Sequence, residues 1–280
     1  MRISEWIQGG FAVLFCLAAW TTVFTSRPLP TRRRWIVTGL AAFAVGSIAL
    51  AQACRGLMSK EHFLVLLDLM TMVLFLVPYW QTGQFFVAPN QKIQGRLLKF
   101  DQWLLPRASQ MSGTERNSVG LVLEMAYLSC YPLVPLGVLA IYATGLQKRI
   151  DGFWLALLVA TYLCYAITPL VPALPPRSLI ARESTSPAYL VRANKGRLLN
   201  RWILRHGSIH AISFPSAHVA SAFAIALVLL YYAPMVGMIF LAIAIMISLG
   251  AVIGRYHYAL DVLAGGATAL VVFILTYRYF

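Results

Sequence analysis

Apolar residues form long runs along this chain, and short stretches between the runs hold most of the charged residues. A helix of about 20 apolar residues crosses the hydrocarbon core of a bilayer. Prolines inside the fourth run predict a kink, because proline removes a helical hydrogen bond. Only Ala233–Pro234 separates the sixth and seventh runs, which predicts a tight helical hairpin. The runs predict eight spans, over residues 6–25, 35–53, 63–82, 119–143, 153–172, 213–232, 235–254 and 258–277.

Composition supports an all-α polytopic membrane helix bundle. Apolar residues make up 60% of the 280 residues and charged residues 11%, whereas a soluble domain has about 25% charged residues. The net charge of +14 does not indicate nucleic-acid binding, because the basic residues lie between apolar runs and not on a soluble basic surface. The membrane, and no nucleic acid, is therefore the expected partner, and the basic residues are expected to contact its headgroups.

Alternation of eight spans places loops 26–34, 83–118, 173–212 and 255–257 at one end of the bundle. These loops hold 17 Lys and Arg residues, against 6 at the other end. The positive-inside rule would make the first end cytoplasmic. Seven of the 17 lie in loop 173–212, where binding to anionic lipid is a second explanation, so the face stays open. Residues 197–205 there have the pattern of an amphipathic basic helix in the headgroup layer, or of a solvated connector.

Three short segments with chemically useful side chains meet at the same end. They are Leu174-Pro175-Pro176-Arg177, Ser213-Phe214-Pro215-Ser216-Ala217-His218, and Gly254-Arg255-Tyr256-His257-Tyr258-Ala259-Leu260-Asp261. The start of a helix at Pro215-Ser216 offers unpaired N–H groups and a positive dipole end to an anion. Arg177 and Arg255 add forked donors for phosphoryl oxygens.

The histidines and the aspartate complete a site for phosphate-ester chemistry. His257 and Asp261 are spaced i, i+4, so both are expected on one helical face, with Asp261 accepting one imidazole N–H. The other nitrogen of His257 is then free as a nucleophile. His218, from another helix, is the candidate general acid.

Each of these residues also has an ordinary structural interpretation. A single histidine near a helix end is often a packing residue, and a serine at a helix start is often a cap. An unpaired aspartate within a span is costly in lipid, so Asp261 favours a functional site.

Glu124 and Tyr127 are expected near the same end of the bundle. They line a headgroup pocket, or Glu124 pairs with a loop arginine. A transporter with a buried His/Asp/Arg relay, or a non-catalytic scaffold, are the alternative functions.

The motifs resemble those of the type-2 phosphatidic acid phosphatase superfamily, which comprises membrane lipid phosphatases and phosphotransferases. Pro215-Ser216-Ala217-His218 is similar to its second motif, with Ala217 where glycine is usual. The segment from His257 to Asp261 is similar to its third motif, in the form found in sphingomyelin and inositol phosphorylceramide synthases. The chain departs from the pattern at Val171, where the first motif has lysine, and at Gly250-Ala251, where the third motif has Ser-Arg.

The resemblance implies a lipid phosphate or phospholipid substrate, no metal and no cofactor. It implies His257 as nucleophile, Asp261 as its orienting partner and His218 as acid. Arg177, Arg255, Ser216 and Ala217 would hold the phosphate, with Arg255 in place of the missing upstream arginine. It further implies a catalytic core over residues 119–280 with six helices, preceded by N-terminal helices and a basic loop over 1–118, in the plasma (inner) membrane.

Overall fold

A computed structural model describes residues 1–21, 23–24, 28–105, 118–183, 209 and 214–279. All regular elements in this part of the chain are helical, which confirms the predicted all-α class. The first helices are α1 Ile3–Ala19, α2 Thr31–Ala53, α3 Lys60–Leu74, α4 Val77–Gly83 and α5 Gln91–Leu104. The later helices are α6 Ser118–Leu128, α7 Leu133–Ala143, α8 Ile150–Ile167, α9 Pro176–Glu183, α10 Ala217–Tyr232, α11 Pro234–Ile253 and α12 Ala259–Thr276.

The helices account for the eight apolar runs, although not all of them have the predicted length. Five stretches in the described residues are long and apolar enough to cross a membrane, and α6 with α7 makes a sixth if the pair is one span. Those two helices meet at 68°, which confirms the kink. Helices α1 and α10 have only 17 and 16 residues, and α10 begins at Ala217 where a span from residue 213 was predicted. The chain is an integral membrane protein.

Helices α8 and α10 form the centre of the bundle. Trp154, Leu157 and Leu158 of α8 are fully buried, and α10 is buried on nearly every side. A helix that is apolar all round belongs inside a bundle, and alanines at 220, 222, 224 and 226 allow neighbouring helices to approach α10 closely. Helix α10 accordingly packs against α8, α11 and α12. One residue, Ala233, separates α10 from α11, so the predicted hairpin is confirmed.

Hydrogen bonds join the loops that were predicted to share one end of the bundle. Arg33 donates to the carbonyls of Gln84 and Phe86, at 3.0 and 2.7 Å. The Asn90 N–H donates to the Pro172 carbonyl at 2.8 Å, and the Arg177 N–H donates to the Arg255 carbonyl at 3.1 Å. The basic segment 197–205 lies outside the described residues, and the division of the chain at residue 118 stays a prediction.

A buried polar cluster holds the opposite end of the bundle together. Asp68, in the third span, accepts from Arg2 Nη1 at 2.7 Å, from Trp154 Nε1 at 2.8 Å and from the Tyr142 hydroxyl at 2.6 Å. Arg2 Nε also donates to Asp151 at 2.6 Å. A buried charge in a membrane protein is tolerated when such partners surround it. Asp68 therefore ties α3, α7 and α8 to the start of α1.

Close packing of α12 on α10 gives a test of the architecture. A Cβ on Gly265 would lie 2.5 Å from the Ser216 carbonyl oxygen, whereas one on Gly266 would meet only the Phe223 ring at 3.9 Å. Backbone at Ser216 cannot move aside without displacing the start of α10. We expect Gly265→Ala to destabilise the protein by about 1–3 kcal/mol, and Gly266→Ala to be nearly neutral. Thermal unfolding of both variants in detergent measures this, and equal melting temperatures would contradict the packing.

Candidate active site

Asp261 brings two of the three predicted segments together. Its Oδ2 accepts the Tyr258 N–H at 3.1 Å and lies 3.4 Å from His257 Nδ1, while its main-chain carbonyl accepts the Ser216 N–H at 2.9 Å. Asp261 is fully buried and His257 is 5% exposed. One residue thus joins the starts of α10 and α12.

The pairing of His257 with Asp261 was predicted, but the reason given for it was wrong. Helix α12 begins at Ala259, so His257 precedes the helix and does not share a helical face with Asp261. Asp261 lies in the first turn, where a carboxylate folds back to accept N–H groups that have no helical partner. His257 reaches the same carboxylate because the loop before α12 curves over it, with the His257 N–H donating to the Ala251 carbonyl at 3.0 Å.

His218 faces His257 from the second residue of α10. Their ring centroids are 6.0 Å apart and the rings are nearly perpendicular, at 82°. Tyr127 and Tyr131 contact His218 edge-on, with centroids at 6.0 and 6.1 Å. The structure therefore brings the two predicted catalytic histidines together, although 39 positions separate them in the sequence.

Ser216 has a structural role at this helix start. Its side chain is fully buried, and its Oγ accepts the Val219 N–H at 3.5 Å as the N-cap of α10. Its own N–H is donated to Asp261, so that group is not available to an anion. Ala217, which follows, is also buried. A phosphate contact by Ser216 or Ala217 stays a prediction.

Arg177 is held by an aromatic stack that sequence reasoning did not anticipate. The Arg177 guanidinium carbon lies 4.3 Å from the centroid of the Tyr256 ring. Tyr127 stacks on Tyr256 with centroids 4.1 Å apart and planes 4° apart. Both groups lie close to the ring centre, so they occupy opposite faces of Tyr256. Such cation–π contacts strengthen when water is excluded.

Glu124 completes the stack from helix α6. The Tyr256 hydroxyl donates to Glu124 Oε2 at 2.5 Å, and Glu124 is 1% exposed. Glu124 therefore supports the aromatic stack, and both predicted roles, lining a headgroup pocket and pairing with a loop arginine, stay predictions. The signal in the sequence was a carboxylate within an apolar span, which is costly unless it serves a site.

The two arginines have different surroundings. The charge of Arg177 acts on His257: burial, together with Arg177, lowers the pKa of His257 to about 4. His257 is therefore neutral at physiological pH. The charge of Arg255 acts instead on Asp101. Arg255 has a φ of 59°, a left-handed conformation that is uncommon outside glycine, and its carbonyl accepts the Arg177 N–H.

Gly250 and Ala251 stand where the resemblance leads one to expect Ser-Arg, and the structure gives a packing reason. A Cβ on Gly250 would lie 2.5 Å from the Leu123 carbonyl oxygen, so α11 and α6 meet there with no room for a side chain. Ala251 is fully buried against Tyr127 and Tyr256. The Arg177–Tyr256–Tyr127 stack thus lies beside the position that the upstream arginine would hold.

Helix α5 supports the site from outside the predicted motifs. Asp101 Oδ1 accepts the Ala259 N–H at 2.8 Å and caps α12 from another helix. Gln94 Oε1 accepts the Leu174 N–H at 3.2 Å, which fixes the segment before Arg177. No local pattern around Asp101 pointed to this contact, because its partner is 158 positions away. Burial and, more weakly, the charge of Asp261 raise the pKa of Asp101 from 3.8 to about 6, although the Ala259 N–H and Arg255 oppose the shift.

A sequence profile described as the PAP2 superfamily matches residues 95–275. The match starts within α5 and contains Arg177, His218, His257 and Asp261. No curated protein and no solved structure matches the chain. Helices α1 to α4 lie outside the matched region.

The stack predicts that Tyr256 acts through Arg177. Tyr256→Ala removes the surface on which the guanidinium rests, so we expect turnover to fall by roughly 10²–10³, the loss typical of one charge-stabilising donor. Tyr256→Phe keeps the ring and should cost less than about tenfold. Adding Arg177→Ala to Tyr256→Ala should cost little more, because both changes remove one interaction. If the loss of kcat/KM in the double variant equals the product of the losses in the two single variants, the coupling is contradicted. Tyr231→Phe, at an exposed tyrosine, is the control.

The cap from Asp101 predicts a pH-dependent stability. Asp101→Ala should destabilise the protein by about 1 kcal/mol, as loss of a cap usually does, whereas Asp101→Asn keeps an acceptor for the Ala259 N–H. The folded state holds the Asp101 proton up to a pKa of about 6, above the ordinary 3.8. Wild-type stability relative to Asp101→Asn should therefore fall as pH rises from 4 to 7. Melting temperatures across this range measure the difference, and a constant difference would contradict it.

Proposed function

Because the chain belongs to the PAP2 superfamily, we propose that it cleaves phosphate esters of lipids through a phosphohistidine on His257. Members of this family are generally phosphatases and phosphotransferases that need no metal. The carrying observation is that His257, Asp261 and His218 meet at one end of a membrane-spanning bundle. This arrangement favours an enzyme over the alternative of a transporter with a buried relay.

The contacts of His257 support its role as the nucleophile. Asp261 occupies Nδ1, so Nε2 is the nitrogen that can attack phosphorus. As the N–P bond forms and the P–O bond to the alcohol breaks, protonated His218 donates its proton to the departing oxygen and becomes neutral. Asp261 stabilises the positive charge that develops on the imidazole ring. The Arg177 guanidinium, already held in position over Tyr256, stabilises the negative charge of the phosphoryl oxygens.

A second attack completes the reaction. Neutral His218 accepts a proton from a water molecule or from the hydroxyl of another lipid, and the new oxygen displaces His257 from phosphorus. Water gives free phosphate, and a lipid hydroxyl gives a transferred phosphate group. The likeness of the third motif to lipid synthases makes transfer the alternative fate of the adduct. We place the protein in the plasma membrane, with the substrate drawn from the bilayer beside α10.

Direct detection of the adduct tests the proposal. Rapid quench with radiolabelled lipid phosphate should give an acid-labile label, and peptide mapping should place it on His257. His257→Ala should abolish turnover and label, while His62→Ala, an exposed histidine at the start of α3, should change neither. Asp261→Asn should lower turnover by roughly 10⁴, since the amide holds the wrong tautomer.

His218 is tested separately by the choice of leaving group. His218→Ala should lower turnover of an alkyl phosphate by roughly 10²–10⁴. The loss should be much smaller with a phenyl phosphate, because phenolate departs without a proton. Turnover with no label on His257 would mean that water attacks phosphorus directly. A protein that moves lipid or ions but releases no phosphate would be a transporter, and the proposal would fail.

A further inference from the structure

A cavity of about 360 Å³ opens beside His218, on the membrane side of the site. It lies between the α3–α4 bend, the break between α6 and α7, and helices α8 and α10. The break exists because Pro132 stands at the start of α7 and the chain bends there by 68°. The lining is mostly apolar and includes Met72, Phe75, Leu76, Trp80, Cys130 and Val134.

Two polar side chains on the cavity wall are already engaged, while Tyr131 and Tyr165 contribute aromatic rings to it. The Tyr79 hydroxyl accepts the Ile209 N–H at 3.1 Å, and the Ser221 hydroxyl donates to the His218 carbonyl at 3.0 Å. An apolar wall of this kind binds hydrocarbon well and a sugar or charged headgroup poorly. The His218 ring lines the same cavity, so a chain inside it would end next to the reacting phosphate.

The open side of the cavity faces lipid. Leu76 and Trp80, on α3–α4, are 41% and 42% exposed, whereas Phe75 and Cys130 on the inner wall are 8% exposed. A chain that enters past the side chains of Leu76 and Trp80 never leaves an apolar environment. Its transfer from the bilayer into the cavity therefore exposes no hydrocarbon to water.

We infer that this cavity is the subsite for the hydrocarbon chain of the substrate, and that it admits a single chain. The inference rests on the proposed function for the identity of the headgroup. A volume of about 360 Å³ is near the lower end of the range for ligand pockets, about 300–1,000 Å³, so the cavity has room for one chain and little more. The substrate class is a phosphate ester with one long alkyl, acyl or prenyl chain. Helices α3 and α4, outside the region matched to the superfamily, form one side of this subsite.

Photolabelling tests the subsite independently of turnover. The probe is dodecyl phosphate with a diazirine at the chain end, added to the full-length protein in nanodiscs. Labels should map to the inner wall, at Met72, Phe75 or Cys130. Met72→Trp fills the cavity and should reduce this labelling at least tenfold, since loss of room for about one methylene already costs tenfold or more. Val73→Trp adds the same ring to the neighbouring position, which is 60% exposed and outside the lining, and should leave the labelling unchanged.

Phosphate release by the same preparations separates the two proposals. In the wild type, dodecyl phosphate should be a better substrate than a phosphatidic acid with two 12-carbon chains. The ratio of kcat/KM for dodecyl phosphate to kcat/KM for butyl phosphate should be at least tenfold lower in Met72→Trp than in the wild type. Labels confined to lipid-facing residues such as Val73 would overturn the subsite even if phosphate is released. Labels on the inner wall without phosphate release from any substrate would support the subsite and overturn the proposed enzyme.

Discussion

The buried carboxylate of Asp261 is the interaction on which the site depends. A carboxylate at the start of an apolar helix has to be surrounded by donors, because lipid offers none. Asp261 Oδ2 has two, the Tyr258 N–H and His257 Nδ1, whereas Oδ1 has no hydrogen-bond partner among the described residues. The main-chain carbonyl of Asp261 accepts from the Ser216 N–H. The carboxylate of Asp261 thus contacts His257, while its main-chain carbonyl holds the start of α10, with His218, against α12. The contacts that fix these helix ends also bring the predicted catalytic groups together.

Positive charge is organised around this centre by aromatic contacts. Arg177 rests on Tyr256, Tyr256 stacks on Tyr127, and Glu124 accepts from the Tyr256 hydroxyl. A guanidinium that is held over an aromatic ring loses little freedom when it binds an oxyanion, so its charge is available without rearrangement. The close approach of α11 to α6 at Gly250 excludes a side chain there. The guanidinium beside the two histidines therefore comes from Arg177, at the start of α9.

The N-terminal helices contribute to both halves of the site. Helix α5 caps α12 through Asp101 and holds the segment before Arg177 through Gln94. Helices α3 and α4 form one wall of the cavity that leads to His218. Residues outside the superfamily match thus form one side of the cavity, and residues within the match form the other side together with the predicted catalytic groups.

The sequence by itself determined the membrane class, the helical runs, the kink at Pro132 and the hairpin at Ala233, because each depends on local composition and spacing. It also placed the His218 and His257 segments at one end, since alternating spans leave few arrangements. Only the tertiary structure decided how the side chains meet. His257 lies before α12 and not on its face, Tyr256 lies between Arg177 and Tyr127, and Asp101 caps α12 from 158 positions away. Such contacts depend on the distances and angles between helices, which no local pattern records.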